Sequence, residues 1–276
     1  MTKKEKNKVI ILGSGTSTGI PILGCHCSVC CSPLKKNSRL RTSIFLQTKK
    51  KSALIVDTTP DMRTQLLQNK ISHLDAAIIT HEHSDHLQGL DDLRPFTFFP
   101  HYHYIPVFTS SKGKKEITSR FPYIFKPHKV YFSSKTKQGG GIPLLKIKKV
   151  SLEKKNKIHR DSFRFFSLPH GNTKTLCFIH EKLGFITDCS HIPAKVITAF
   201  KKARLEILII DCATRTPHRT HLHLEKTCAY IEKISAKFSG LIHMGHDFDH
   251  KILALQMKKT YGKSVAPLYD GQILYY

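Results

Sequence analysis

A chain of 276 residues with 45 Lys and Arg against 20 Asp and Glu carries a formal charge of +25, which favours anionic partners. No apolar run approaches the ~18 residues that a membrane span needs, and the VIIL that follows the basic start is far shorter than a signal-peptide core, so a cytoplasmic, membrane-free protein is expected. Eight cysteines in a chain of this length argue against a disulfide scaffold and for metal ligands or buried thiols.

In chain order, KVIILGS, TSIFLQT and ALIVDTT read as successive strands, with KKKS as the turn between the second and third. DMRTQLLQN reads as a short helix before DAAIIT, an apolar run with the look of a buried strand, and KEITSRFPYIF carries another helix. SSKTKQGGGIP is a polar, glycine-rich loop. LLKIKKVSLE, FRFFSL, TLCFIH and GFITDCS follow as strands, then PAKVITAFKKA as a helix and LEILIIDCA as a fully buried strand. HLEKTCAYIEKI is an amphipathic helix, GLIHMGH a strand, KILALQMKKTYG a helix and QILYY a last strand. One α/β domain over residues 1–276, an αββα sandwich of two mixed β-sheets flanked by helices, accounts for this order. The excess lysine lies in dispersed runs such as KKEKNK, KKK and KKNK, the pattern of a solvated surface more than of a nucleic-acid footprint.

Directly after DAAIIT, the stretch THEHSDHLQGLDDLRPF packs His81, His83, Asp85 and His86 into six positions. It lies where a strand ends, the usual place for a site in an open α/β sheet. His81 and His83 alternate and can face one metal from an extended segment. A turn through Ser84 brings Asp85 and His86 to a second. Imidazole and carboxylate together suit zinc, manganese or iron, and two such ions ~3.5 to 4 Å apart can clamp the attacking and leaving oxygens of a phosphoryl displacement.

The ordered motifs resemble those of the metallo-β-lactamase fold hydrolases. These are LGSGTSTGIP at 12–21, Asp57 ending a strand, HxHxDH at 81–86, His170 in LPHGN, Asp188 in FITDCS and His243 in LIHMGH. The resemblance implies two divalent ions: His81, His83 and His170 on one, Asp85, His86 and His243 on the other, and Asp188 between them. It places Asp57 behind these ligands, holding their loop. The lactam-cleaving members usually have Cys at the position of Asp188, and the diiron members have Glu at that of His83, so phosphodiesterases fit better. A second resemblance, to the phosphoribosyl cyclic phosphodiesterase branch, rests on GCHCSVC, on SRLRTS and on GLDDLRPF. It implies a structural zinc held by Cys25, Cys27, Cys30 and His246, a closed tetrahedral set with no open position.

The same resemblance puts the catalytic histidine at His221, with His218 and His223 close by in sequence. An imidazole there is suited to protonate a departing oxygen, because its pKa can lie near working pH. Arg39 and Arg41 match a phosphate in bidentate fashion, or pair with Asp91 or Asp92. The implied reaction is hydrolysis of a small cyclic phosphodiester, with zinc or manganese as the active-site metals, Asp85 and His221 in catalytic roles, and a homodimer compatible with the sequence. A nuclease of the same fold would instead gather lysine and arginine around the metal cleft. A binding protein on a retired enzyme fold would have no chemical reason to keep all seven ligand positions.

Overall fold

The computed structural model describes residues 5–98, 102–126 and 141–276. The first half of the chain builds one seven-stranded sheet from β1 (Lys8–Gly13), β2 (Ser43–Gln47), β3 (Ala53–Val56), β4 (Ala76–Ile78), β5 (Ile105–Thr109) and β6 (Leu145–Lys149), with the C-terminal β14 (Ile273–Tyr275) along its edge. The second sheet holds β7 (Lys155–Ile158), β8 (Asp161–His170), β9 (Thr173–His180), β10 (Leu183–Ile186), β11 (Ile207–Asp211), β12 (Phe238–Ile242) and β13 (Val265–Pro267). Each sheet changes direction midway. β14, β1, β2 and β3 pair antiparallel and β3 to β6 parallel, while β7 to β10 pair antiparallel and β10 to β13 parallel.

The apolar runs are continuous because both faces of the strands are covered. In β1, Val9 and Ile11 pack between the sheets while Ile10 and Leu12 pack outward under helices, and in β3 Leu54 and Val56 face inward while Ile55 faces outward. The layer between the sheets is rich in phenylalanine. Phe163 meets Phe178 edge-on with centroids 5.4 Å apart, and Phe178 stacks on Phe185 at 5.3 Å. Each such buried ring contributes about 1.5–3 kcal/mol. The outer face of the second sheet is covered by α6 (Ala194–Lys202), α7 (Leu224–Ile234) and α8 (His250–Tyr261), and that of the first by α1 (Met62–Gln68), α4 (Ser111–Arg120) and α5 (Pro122–Phe125). The αββα expectation therefore holds.

Several details differ from the expectation. β5, β7 and β13 are strands that the sequence pattern does not show: IPVFT contains a proline, KNKI is mostly polar, and VAP is three residues ending in proline. In keeping with the loop or helix expected where that strand ends, the stretch after DAAIIT coils into a short helix α2 (Ser84–Leu87), a 3-10 segment (Gln88–Leu93) and α3 (Arg94–Phe98). The loop expected at 133–143 lies outside the described residues up to residue 140. Among the described residues no helix is long and apolar enough to cross a membrane.

Candidate metal centre

Parallel strands from both sheets end at one rim, and the residues that follow them turn into it. Asp57 follows β3, Asp188 lies two residues beyond β10, and His243 follows β12; their φ angles are +66°, +53° and +63°. These left-handed conformations are sparsely populated by non-glycine residues and cluster at functional sites. The loop after β4 brings His81, His83, Asp85 and His86, and the end of β8 brings His170. Gly89 lets this loop pack close: a Cβ there would lie 2.0 Å from the Thr59 carbonyl oxygen.

Hydrogen bonds fix which nitrogen of each buried imidazole faces the cluster. Thr80 Oγ1 donates to Asp57, so it accepts from His81 Nδ1 at 3.0 Å. His86 Nδ1 donates to Asp57 Oδ2 at 2.7 Å, and His170 Nδ1 to the Thr220 carbonyl at 2.9 Å. Thr42 Oγ1 donates to the Gly15 carbonyl and therefore accepts from His243 Nδ1 at 3.0 Å. In the neutral rings every Nε2 is then a lone pair. Outward bonds of this kind are how a protein sets the tautomer of a metal-binding histidine. Burial lowers the pKa of His81 and of His243, keeping both in the neutral form that binds a metal, whereas at His86 the carboxylates of Asp188, Asp85 and Asp57 outweigh burial and raise it, so that a cation, proton or metal, is favoured at its Nε2.

The inward atoms converge. His81 Nε2 and His170 Nε2 lie 3.0 and 3.1 Å from His83 Nδ1, and the proton count allows at most one hydrogen among these three nitrogens. Asp188 Oδ1 is 3.3 Å from His243 Nε2, Asp188 Oδ2 is 3.4 Å from His86 Nε2, and Asp85 Oδ2 is 3.1 Å from the same His86 nitrogen. The buried His86 Nε2 makes no aligned hydrogen bond among the described residues. Facing lone pairs beside two carboxylates repel unless a cation stands among them, so this donor set fits divalent metal. His81, His83 and His170 form one such group and Asp85, Asp188 and His243 another, while His86 groups with His81 and Asp188 and so lies between the two.

Asp57 accepts three bonds, from the Thr80 backbone N–H, the Thr80 hydroxyl and His86. Asp57→Asn places an amide N–H₂ against at least one of these donors. We expect it to lower divalent-metal affinity by about 10- to 100-fold, read by competition with a fluorescent chelator; unchanged affinity would remove Asp57 from the support of the site.

His221 borders the cleft, its Nδ1 3.5 Å from Asp211 Oδ2 and 3.8 Å from Asp188 Oδ1. Burial opposes its protonation, but Asp211 outweighs it and Asp188 adds to the effect, raising the pKa to about 9. His218 and His223 hold no comparable position: His218 bonds Thr220, and His223 is the N-cap residue just before α7. Asp211, at the end of β11, was not singled out from the sequence. It is fully buried and accepts the Leu222 backbone N–H, and its Oδ1 has no hydrogen-bond partner among the described residues. The position of the aspartate at the end of an apolar strand was the signal that could have found it.

The cleft, about 520 Å³, is bordered also by Glu82, Lys112, Glu116 and Arg120. Lys112 Nζ lies 2.7 Å from Glu82 Oε1 and donates to Thr173 Oγ1, and Arg120 donates to the Glu82 carbonyl. Lys112 is thus tied to a carboxylate, and Arg120 to a carbonyl with Glu116 at 4.0 Å, so among the described residues the cleft is no basic funnel.

Cys25, Cys27 and Cys30 gather around His246 Nδ1 at 3.3, 3.6 and 3.8 Å. The Cys30 backbone N–H points at the Cys27 sulfur and holds that thiol down to about 6, which favours the thiolate a zinc requires. Cys31 is exposed and outside the group. Cys177, Cys189 and Cys212 are buried in the core beside the partly buried Cys228.

The two arginines depart from the expectation. Arg39 is buried; its guanidinium donates to the Gly245 and Phe248 carbonyls at 3.1 and 2.5 Å, so it clamps the loop carrying His246 and offers nothing to a phosphate. Arg41 pairs with Asp61 at 2.9 Å, not with Asp91 or Asp92, and donates to the Ser17 carbonyl.

Residues 53–244 match the family model of the beta-lactamase superfamily domain. An octanoyltransferase of Porphyromonas gingivalis is 33% identical over 239 residues, which cover 87% of this chain and 46% of that protein. The chain spans half or less of the length of the curated relatives it matches. Among solved structures, a diphosphatase from the PhnP family superposes with a TM-score of 0.85 at 28% identity, covering 99% of this chain and 98% of that one. Zn(2+)-bound PqqB from Methylobacterium extorquens superposes with a TM-score of 0.78 at 16% identity, over 97% and 99% of the two chains.

Proposed function

The chain belongs to the beta-lactamase superfamily, and from that premise we propose that it is a metal-dependent phosphodiesterase acting on a small cyclic phosphodiester. The observation that carries this reading is the ring of inward Nε2 lone pairs around Asp188 on the floor of the cleft. His81, His83 and His170 would hold one divalent ion, Asp85, His86 and His243 a second, and Asp188 both, with zinc or manganese as the metals that suit the donors. Such a pair lowers the pKa of water and offsets the charge that builds on phosphoryl oxygens.

The chain's own part follows from the geometry. Asp188 and Asp85 set the anionic balance of the floor and leave it short of negative charge once two dications are bound, so that a phosphodiester anion is drawn in. His221, held protonated by Asp211, gives its proton to the departing oxygen. Cys25, Cys27, Cys30 and His246 would hold a structural zinc that ties residues 25–30 to the strand end of His243. The cleft volume suits a compact substrate better than a polymer.

A second reading, hydrolysis of a diphosphate linkage, is favoured by the likeness to the PhnP-family diphosphatase. A nuclease is less well supported, because the cations at the cleft are already paired. More than half of the octanoyltransferase has no counterpart here, so acyl transfer is not carried over. The deciding assay sets ribose 1,2-cyclic phosphate, a dinucleoside diphosphate and a short single-stranded RNA before metal-loaded protein at low and moderate salt, with Asp85→Asn as the blank. Turnover of the cyclic compound alone is expected. Cleavage of the diphosphate or the RNA alone would replace the reading with the corresponding one, and no turnover of any would leave a binding protein.

A further inference from the structure

The C-terminal ends of α6 and α7 form a groove of about 780 Å³ that the catalytic reading does not use. It carries Lys201, Lys202, Arg204, Lys233 and Lys237 over a floor of Ile197, Leu205 and Ile234. Leu205 and Lys237 lie just before β11 and β12, whereas Asp211 and His243 lie at the far ends of those strands. The groove is thus at the rim opposite the metal cleft, a strand length of roughly 16 Å away.

Some cation at this place is ordinary, since helix C-termini each carry about half a negative charge. Two helix ends do not account for five cations. Among the described residues the one carboxylate paired to them is Glu206, 3.2 Å from Lys237 Nζ. The five side chains are exposed, and four of them are lysines, point charges on flexible stems without the fixed fork of a specific phosphate site. Among the described residues, no buried donor lines the groove to enclose a small anion, and no aromatic ring in its lining offers a platform for stacked bases. An open surface with several mobile charges complements a repeating anion.

We infer that this groove binds the sugar–phosphate backbone of a nucleic acid, independently of its sequence and away from the metal cleft. The inference does not depend on the hydrolytic reading, because binding is measured without turnover. The test uses the full metal-loaded chain and a fluorescein-labelled RNA hairpin of mixed sequence, with anisotropy followed across a salt series. We expect a Kd in the ~10⁻⁴–10⁻⁶ M range, with the affinity falling by about 0.7–0.9 in log–log slope for each phosphate contacted. The fourfold reversal K201E/K202E/K233E/K237E is expected to weaken binding by at least about tenfold and flatten the slope, with a parental melting temperature as the check on folding. If that variant fails to fold, K201A/K202A is expected to give a smaller loss in the same direction. The inference fails if the variants bind the hairpin like the parent, if K112A/R120A at the cleft abolishes binding instead, or if an acidic peptide is held more tightly than the RNA.

Discussion

With asparagine in place of Asp188, hydrolysis of bis(p-nitrophenyl) phosphate by metal-loaded protein is expected to fall by roughly 10³-fold, beyond the ~10- to 100-fold typical of residues that stand behind metal ligands. Both carboxylate oxygens are engaged at once, Oδ1 toward His243 Nε2 and Oδ2 toward His86 Nε2 and the Thr187 hydroxyl. An amide supplies one acceptor, carries no charge, and sets an N–H₂ where the second lone pair belongs. The fold should survive, because asparagine is among the residues that tolerate the left-handed backbone Asp188 adopts. Kinetics and metal stoichiometry of a variant with parental melting temperature decide the matter; near-parental turnover would dismiss the assignment of Asp188 to both ions.

Cys27→Ser is expected to release one equivalent of zinc and to lower the melting temperature. Structural zinc contributes about 10–16 kcal/mol in isolated peptides, but here the segment has other attachments. Arg39 holds the Gly245 and Phe248 carbonyls, and Asn37 donates to Asp249 at 2.7 Å. Only part of the zinc term should therefore appear, about 3 kcal/mol, or about 6–12 °C in a chain of this size. Zinc analysis beside a thermal melt tests this, and a variant that keeps its zinc and its melting temperature would show that the cysteines are ordinary thiols.

How much could be read from the chain depended on how local each feature is. HxHxDH is legible because its four residues fall within six positions and their crowding is chemically unusual. His170, Asp188 and His243 are single residues, visible only through their order behind that cluster. Asp211 is not legible because its partner, His221, reaches it only once β11 and the segment before α7 are folded together. The role of Arg39 is hidden for a related reason. A long cationic side chain near a phosphate-type motif is free to point either way, and the carbonyls that capture it belong to residues about two hundred positions on. The sandwich itself was readable, since uninterrupted apolar strands demand cover on both faces. β5 and β7 were hidden by a proline and by lysines that the sheet tolerates near its margins.

The cluster draws His81, His83, Asp85 and His86 from one sheet and His170, Asp188 and His243 from the other. What fixes the gap between these two sets is the thickness of the layer in which Phe163, Phe165, Phe178 and Phe185 interleave with the first sheet. Because interiors are packed to crystal-like density and pass strain on, that layer works as a spacer gauge. A ring trimmed there narrows or skews the jaw at the rim, so residues with no chemistry of their own set the reach of those that have it.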